Sequence, residues 1–316
     1  MLKILVTAII PQEALKTVPE NFSVDMFKKK RTMNYSEIYE KFKNTRYYAI
    51  LCTYKDKIDQ AILEVAKPDL KVVVTMSKGT DHINISECQK SGIEVYNIQN
   101  VTTDAVADYG IALLLIGVRR LDQILKHKHN HETWYYLWNL NGLSLSQATI
   151  GIVGLGNIGK AIAQRLTGFK SKILYYSKQR KLDAEQEYGL HFTSFEKLLQ
   201  ESDAIIVCCS LNQETKNLFS LDAFLKMKSS SIFINIARSE VCNQNDLYHA
   251  LNYKQIGMAL LDVTTPEPLP VSHPLNQLEN CIIFPHMATN VTDSRINLCN
   301  LALQKIYQSA LSLIKY

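Results

Sequence analysis

Short apolar runs alternate with longer segments of helical spacing along the whole chain. Most of these runs are continuous rather than alternating with polar residues, which is typical of parallel strands covered on both faces. The pattern predicts strands at residues 2–9, 47–52, 72–75, 93–95, 149–153, 172–176, 204–209, 231–235, 257–262 and 281–284. The segments between them have helical spacing, for example 104–117 and 301–314. This alternation predicts an α/β protein built from two doubly wound, Rossmann-like units.

The segment after the strand predicted at 149–153 has the glycine pattern G-x-G-x-x-G and opens a helix. Gly154 permits a tight turn, Gly156 lets the backbone approach a pyrophosphate, and Gly159 lets the helix pack on the strand. The N–H groups at the helix start would face the anion. The pattern predicts a dinucleotide site, although a glycine turn used only for packing is the alternative. The other predicted cofactor residues of this turn are Leu155, Asn157 and Ile158.

The end of the next strand indicates which dinucleotide binds. An NAD site usually has an Asp or Glu about 20 residues after the glycine turn. Here that strand ends in Ser177 and a basic run, and no carboxylate appears until Asp183. Ser177 can hydrogen-bond a phosphate, and Lys178 and Arg180 can pair with it. The sequence therefore favours NADP (NADPH) over NAD, with a solvated basic loop as the alternative.

Composition and charge exclude several classes of function. The chain has 316 residues, 47% hydrophobic and 21% charged, which is ordinary for a globular protein and enough for two domains. The formal net charge of +5 comes without a basic stripe interleaved with aromatics, so we expect no nucleic-acid partner. No apolar run approaches the roughly 18 residues that would span a membrane, so we expect no membrane partner.

The cysteines and histidines suggest neither disulfides nor a metal site. Seven cysteines lack C-x-x-C spacing, and Cys208 and Cys209 are adjacent within a predicted strand. With no basic segment at the N-terminus, reduced thiols and a cytoplasmic protein are expected. His127, His129 and His131 form a run that resembles a metal-binding sequence. In a helix, only His127 and His131 would share a face. No carboxylate or Cys completes a ligand set, so no metal is expected.

The chain resembles the D-2-hydroxyacid dehydrogenase family, most closely its glyoxylate/hydroxypyruvate reductases. The resemblance covers most of the length and is carried by residues 75–82, 154–159, 234–238, 261–275 and 284–286. It implies a split, flavodoxin-like substrate domain formed by residues 1–100 and 290–316. An NADP-binding Rossmann domain of residues 101–289 would be inserted into it.

The resemblance also implies catalytic roles for Arg238, Glu267 and His286, and these residue types suit the reduction of a 2-keto acid. Imidazole can give a proton near neutral pH, and a carboxylate on its second nitrogen favours imidazolium. A guanidinium offers a planar fork to the carboxylate and keto oxygen of the substrate. The implied reactions are glyoxylate to glycolate and hydroxypyruvate to D-glycerate. Each residue alone would more often be a loop or surface residue, but their matched order favours catalysis.

Further site residues follow from the same resemblance. The backbone N–H groups of Ser77, Lys78 and Gly79 would take the substrate carboxylate, with the Lys78 side chain either adding charge or pointing to solvent. Trp138 matches a tryptophan that reaches the active site of the partner subunit in a homodimer, and core packing is the alternative for it. The remaining predicted cofactor-binding residues are Ser210, Ala237 and Asp262.

Three positions depart from the family's pattern. Ser239 stands where glycine usually follows the arginine, and a positive φ there would cost roughly 1 kcal/mol and shift Arg238. Leu260 replaces a glycine and adds bulk inside a packed strand. After His286, the usual Ile-Gly-Ser-Ala becomes Met-Ala-Thr-Asn at 287–290. The alternative hypothesis is therefore a catalytically weak or inactive NADP(H)-binding relative, acting as a cofactor-sensing or interaction protein.

Overall fold

The computed structural model describes residues 1–127 and 140–314. The chain forms two compact units, one of Met1–Thr102 with Asn290–Tyr316 and one of Thr103–Thr289. Each unit contains one sheet whose paired strands are all parallel. This confirms the predicted α/β class with two parallel-sheet units. Over the described part of the chain, no helix is both long enough and apolar enough to cross a membrane.

The first unit has a five-stranded sheet in the order β2-β1-β3-β4-β5, which is the flavodoxin-like order. The strands are β1 (Leu2–Val6), β2 (Phe22–Met26), β3 (Ala49–Cys52), β4 (Val72–Thr75) and β5 (Glu94–Asn97). The helices are α1 (Gln12–Leu15), α2 (Tyr35–Asn44), α3 (Gln60–Ala66), α4 (Ile85–Lys90) and, later in the chain, α12 (Thr292–Ile314). Apolar side chains of α12 cover one face of this sheet, and those of α2 to α4 cover the other.

The second unit has a seven-stranded sheet in the order β12-β11-β10-β9-β6-β7-β8. Its strands are β6 (Thr149–Val153), β7 (Lys172–Tyr176), β8 (His191–Phe192), β9 (Ala204–Val207), β10 (Ile232–Asn235), β11 (Met258–Leu261) and β12 (Cys281–Ile283). Its helices are α5 (Thr103–Val118), α6 (Leu121–His127), α7 (Asn157–Thr167), α8 (Leu182–Tyr188), α9 (Phe195–Glu201), α10 (Leu221–Leu225) and α11 (Gln244–Asn252). The strand order reverses between β6 and β9, and ligands of open α/β sheets bind at such a point, outside the carboxyl ends of the strands.

Two glycines of α5 allow this helix to lie close to the second sheet. A Cβ at Gly110 would come within 3.0 Å of Ile236 Cδ1, and one at Gly117 within 3.0 Å of Leu260 Cδ1. Leu260 is fully buried, and its side chain occupies the space that Gly117 leaves. The bulk that Leu260 adds is therefore accommodated, because the helix that faces it has no side chain at Gly117.

The structure corrects several predicted boundaries. Two edge strands, β2 and β8, were not predicted, and the helix predicted at 301–314 begins at Thr292. The first strand ends at Val6 rather than residue 9, and the strand predicted at 204–209 ends at Val207. Cys208 and Cys209 therefore follow the strand rather than lying in it. Their side chains still diverge, because they pack against the hydrophobic clusters on opposite faces of the sheet.

Candidate active site

The glycine turn between β6 and α7 has the shape that a bound pyrophosphate requires. Gly154 has a φ of +98°, and a Cβ there would lie 2.6 Å from the backbone of Cys209. A Cβ at Gly159 would lie 2.2 Å from the carbonyl oxygen of Gly154. At Gly156, which caps α7, a Cβ would meet no atom within 4 Å. Two glycines thus serve backbone packing, and the third leaves open space at the start of a helix, where an anion can approach.

The basic loop after β7 contains the cations predicted to bind a phosphate, and both form ion pairs with carboxylates. Lys178 Nζ lies 2.8 Å from Glu214, and both side chains are mostly exposed. Arg180 donates two hydrogen bonds to Glu185, from Nε to Oε1 at 2.9 Å and from Nη2 to Oε2 at 2.8 Å. The Lys178 pair is exposed on both sides, and exposed pairs contribute only about 0–1 kcal/mol, so Lys178 can exchange partners. In the Arg180 pair only the arginine is exposed, because the Glu185 side chain is 13% exposed.

Arg180 contacts both a carboxylate and an aromatic ring, whereas Lys178 contacts the carboxylate of Glu214. The Arg180 guanidinium lies 5.9 Å from the centre of the Phe192 ring. Its partner Glu185 also accepts a 2.6 Å hydrogen bond from the hydroxyl of Tyr175, whose side chain is buried. Hydrogen bonds from Arg180 and then Tyr175 hold the pKa of Glu185 at about 2. The Ser177 hydroxyl donates to the backbone oxygen of Gln179 at 2.5 Å, which keeps it in the same loop.

The predicted acid–base pair forms at the carboxyl ends of the last two strands. His286 lies three residues after β12, and its Nδ1 is 3.0 Å from Glu267 Oε2 and 3.2 Å from Oε1. The side chains of His286 and Glu267 are only 13% and 21% exposed. Glu267 Oε1 also accepts the backbone N–H of Thr264 at 3.3 Å. The carboxylate is thus fixed to its own loop, and it fixes the plane of the imidazole through Nδ1.

Asp262 holds the backbone that follows His286. Its side chain is 1% exposed, and its two oxygens accept the N–H groups of Met287 at 2.7 Å and Ala288 at 3.1 Å. Burial raises the pKa of Asp262, and these two N–H groups, His286 and Tyr109 lower it in part. Asp262 was predicted as a cofactor-binding residue. In the structure both its oxygens accept hydrogen bonds from the loop that follows His286, and cofactor contact stays a prediction.

Arg238 is positioned by the last residue of β10. The buried side chain of Asn235 accepts the N–H of Ala237 and donates to the carbonyl oxygen of Arg238, both at 3.0 Å. Arg238 is half-buried, and its Nη1 donates to the oxygen of Ala237 at 3.0 Å. Asn235 therefore closes the turn that presents the guanidinium at the carboxyl end of its strand.

Ser239 does not strain this turn, because the positive φ that would make a serine costly here is absent. It begins a 3₁₀ helix, Ser239–Val241, and is not among the residues with positive φ. Its hydroxyl is hydrogen-bonded to the hydroxyl of Thr265 and donates to Glu240 at 2.9 Å. Gln244 in turn accepts the N–H of Thr265 at 2.7 Å and donates to its carbonyl oxygen at 2.5 Å. The serine thereby joins the Arg238 turn to the segment that carries Glu267.

The predicted carboxylate-binding loop lies in the first unit, directly after β4. The Ser77 hydroxyl is 2.8 Å from that of Thr75 and donates to the carbonyl oxygen of Gly79 at 2.7 Å. Asn97 Nδ2 donates to the carbonyl oxygen of Lys78 at 2.6 Å. The Lys78 side chain is exposed, which agrees with the interpretation that it points to solvent. Side chains at the ends of two strands therefore fix the course of this loop.

The other predicted site residues are less informative. Ser210 is exposed after β9, and its carbonyl oxygen accepts the Thr215 hydroxyl at 2.7 Å. Trp138, His129 and His131 lie outside the described residues. Among the residues that the structure describes, no group of three or more His, Cys, Asp or Glu side chains could hold a metal ion.

Sequence reasoning missed four residues that support the site, as well as the loop-holding role of Asp262. Asn235 is the polar last residue of the apolar strand β10, and this contrast was a sequence signal that its side chain has a structural role. Asp262 directly follows the apolar strand β11. Tyr109 sits in a helix and Thr265 in a loop, where nothing in the local pattern separates a supporting residue from an ordinary one. The four missed residues are Tyr109, Asn235, Gln244 and Thr265.

Comparison with known proteins shows which family of enzymes the chain resembles. The NAD binding domain of D-isomer specific 2-hydroxyacid dehydrogenases matches residues 111–288. A glyoxylate reductase/hydroxypyruvate reductase of Mus musculus is 44% identical over 262 residues, covering 82% of this chain and 80% of that protein. A glyoxylate reductase of Thermofilum pendens is 38% identical over 312 residues, covering 96% of this chain and 90% of that protein.

Solved structures also resemble this chain over nearly its whole length. A protein of Thermus thermophilus superposes with a TM-score of 0.88 at 30% identity, covering 97% of this chain and 96% of that one. The D-lactate dehydrogenase of Aquifex aeolicus, solved with NAD and lactic acid, has a TM-score of 0.85 at 26% identity. The match covers 98% of this chain and 95% of that one.

Proposed function

Because the chain belongs to the family of D-isomer specific 2-hydroxyacid dehydrogenases, we propose that it reduces small 2-keto acids with a nicotinamide cofactor. The substrates we propose are glyoxylate, reduced to glycolate, and hydroxypyruvate, reduced to D-glycerate. Relatives named for these activities are 33–44% identical over most of the chain. The observation that carries the proposal is the pair formed by His286 and Glu267, beside a strand end that presents Arg238.

The three side chains have distinct roles in this reaction. The bound cofactor supplies the hydride that adds to the keto carbon. His286 gives a proton to the keto oxygen, so that the C=O bond becomes CH–OH. Glu267 accepts the Nδ1–H, fixes the tautomer and stabilises the imidazolium before transfer. Arg238 binds the substrate carboxylate and stabilises the negative charge that develops on the keto oxygen.

We propose NADPH as the preferred cofactor. The glycine turn fits a dinucleotide, since Gly156 leaves open space at the start of α7. Lys178 and Arg180 follow β7, where an NAD site would carry an acid, and their side chains are 78% and 58% exposed. Ser177 would add a hydroxyl to the phosphate contacts.

The proposed active enzyme is favoured over the catalytically idle relative. The idle relative was suggested by Ser239 and Leu260, yet Ser239 has no positive φ and Leu260 packs where Gly117 leaves room. We also propose a homodimer. In its support, α6 exposes Leu121, Ile124 and Leu125 by 38%, 38% and 62% of their surface, and such apolar patches are typical of protein interfaces.

A direct assay tests the proposed reaction. Purified protein is mixed with NADPH and either keto acid, cofactor oxidation is followed by absorbance, and the product is identified by chiral chromatography. We expect oxidation that depends on the keto acid and yields glycolate or D-glycerate. Cofactor oxidation no faster than without protein would reject the proposal, and so would L-glycerate as the product.

A further inference from the structure

Gln244 joins two parts of the candidate site through its side-chain amide. It is the first residue of α11, and its Oε1 accepts the backbone N–H of Thr265 at 2.7 Å. Its Nε2 donates to the carbonyl oxygen of the same residue at 2.5 Å. The amide thus pairs with both backbone groups of Thr265, as an opposite residue in an antiparallel sheet can. Thr265 lies two residues before Glu267, so this pairing holds the loop that carries the carboxylate partner of His286.

Hydrogen bonds within the loop of Glu267 connect Thr265 to the carboxylate. The Thr264 N–H donates to Glu267 Oε1 at 3.3 Å, and the Thr264 hydroxyl donates to the carbonyl oxygen of Pro266 at 3.1 Å. Thr264 is buried, whereas Thr265, between these groups, is exposed. A displacement of Thr265 would therefore be passed on to the Glu267 carboxylate rather than absorbed within the loop.

Gln244 is also held firmly relative to the turn of Arg238. The segment between these two residues pairs with Phe219, which is fully buried. Phe219 donates its N–H to the carbonyl oxygen of Val241 and accepts the N–H of Asn243, both at 3.0 Å. The Asn243 side chain then caps α11. The amide of Gln244 is therefore in a fixed place relative to the turn that presents the guanidinium.

Ser239 adds a second link between the same two segments. Its side chain is buried, and its hydroxyl is hydrogen-bonded to that of Thr265. It also donates to Glu240 at 2.9 Å, so the shared hydrogen in the first bond comes from Thr265, because a serine hydroxyl has a single hydrogen. The glycine that usually follows the arginine in this family could not make this link.

We propose that Gln244 is a positioning residue for the acid–base pair, acting through the backbone of Thr265 on Glu267. The inference rests on the proposed function, in which Arg238 binds the keto acid and His286, oriented by Glu267, gives the proton. Both must therefore match one bound substrate. Gln244 contributes to that match, because it is fixed to the turn of Arg238 and bonded to the loop of Glu267. Small displacements of catalytic groups cost large factors in rate.

Loss of the amide should affect proton transfer more than substrate binding. Arg238 keeps its turn, because Asn235 still bonds to both ends of it. The guanidinium therefore still binds the carboxylate of the keto acid. Glu267 loses the support that comes from α11, so it orients the imidazole less well. The expected signature is a fall in kcat with little change in KM, since the lost support serves the chemical step.

The parent and four variants test the inference, namely Gln244→Ala, Gln244→Met, Glu267→Gln and the double variant of Gln244→Ala with Glu267→Gln. Gln244→Met keeps the length of the side chain but has neither amide group, so it separates the hydrogen bonds from the packing. Gln277→Ala is the matched control. Gln277 is exposed, and its amide also donates to a backbone oxygen, that of Val271 at 3.4 Å.

Two readouts are taken for each protein. One is the pair of kcat and KM for glyoxylate with NADPH. The other is the NMR signal of the His286 ring in protein with isotope-labelled histidine, assigned by its loss in His286→Asn. The NMR readout does not depend on turnover.

We expect Gln244→Ala and Gln244→Met to lower kcat about 5- to 30-fold and to shift the His286 signal. KM for glyoxylate should change less than about threefold. In the Glu267→Gln background, Gln244→Ala should lower kcat by less than about twofold, because the carboxylate that Gln244 positions is already gone. Gln277→Ala should match the parent in both readouts.

The inference is overturned if Gln244→Met behaves like the parent, since packing would then explain the effect of Gln244→Ala. It is also overturned if the loss of the amide raises KM as much as it lowers kcat, or if its effect is equally large in the Glu267→Gln background. A parent without activity would reject the proposed reaction, and the His286 signal would still decide the role of Gln244. An unshifted signal in Gln244→Ala would then count against it.

Discussion

Replacement of Arg180 by alanine should convert a strong preference for NADPH into a weak one. A charge-assisted hydrogen bond from Arg180 to a phosphate is worth about 1.5–3 kcal/mol. The competing pair with Glu185 is 58% exposed on the arginine side and 13% on the glutamate side, and the loss of its contacts offsets about 1 kcal/mol of this. The net contribution is about 1–2 kcal/mol, so the Kd for NADPH should rise about 5- to 30-fold. The Kd for NADH should stay within about twofold, because NADH has no phosphate at this position.

Both dissociation constants can be measured by nicotinamide fluorescence at one ionic strength. Lys172→Ala is the matched control, because Lys172 begins β7, 2.9 Å from Glu201, and should leave both constants unchanged. The reasoning is refuted if Arg180→Ala weakens NADPH and NADH equally. It is also refuted if the parent binds the two cofactors with equal affinity, since the basic loop would then be only a solvated surface.

Three further outcomes follow from the structure. Leu260→Ala should lower the free energy of unfolding by about 2–5 kcal/mol in a urea titration, while Leu225→Ala, at a 55% exposed site, should change it by less than about 0.5 kcal/mol. Glu185 has its pKa lowered from 4.5 to about 2, so its contribution is present above pH 4.5 and lost as the pH falls through 2. The difference in melting temperature between the parent and Glu185→Gln should therefore shrink over that window. Light scattering at micromolar concentration should give the mass of a dimer, and a monomer mass would reject the homodimer.

Strands buried on both faces were predictable, and edge strands were not. β3, β4, β9, β10 and β11 are buried at every residue, so their sequences are continuous apolar runs apart from Thr75 and Asn235 at the ends of β4 and β10. β2 and β8 lie at sheet edges, and their residues are mostly half-exposed or exposed. An edge strand packs on few neighbours and needs no continuous apolar run, so the hydrophobic pattern does not mark it.

The residues proposed for catalysis could be selected from the sequence because each lies in a recognisable motif, but their supporting residues could not. The resemblance indicated His286 and Glu267, and the structure brings them together through Nδ1. The hydrogen bonds of Asn235 to the Arg238 turn, and the carboxylate partners of Lys178 and Arg180, depend on groups that meet only in the folded chain. The hydrogen bond of Ser239 was not predictable for the same reason, since its partner Thr265 is remote in sequence.

The central claim is that His286 donates the proton in an NADPH-dependent reduction. The most direct test compares kcat for glyoxylate in the parent, His286→Asn and the exposed control His249→Asn, with NADPH binding measured for each. We expect His286→Asn to lower kcat about 10²- to 10⁴-fold while NADPH binds within about twofold of the parent, and we expect His249→Asn to match the parent. A parent without turnover, or a His286→Asn variant as fast as the parent, would contradict it.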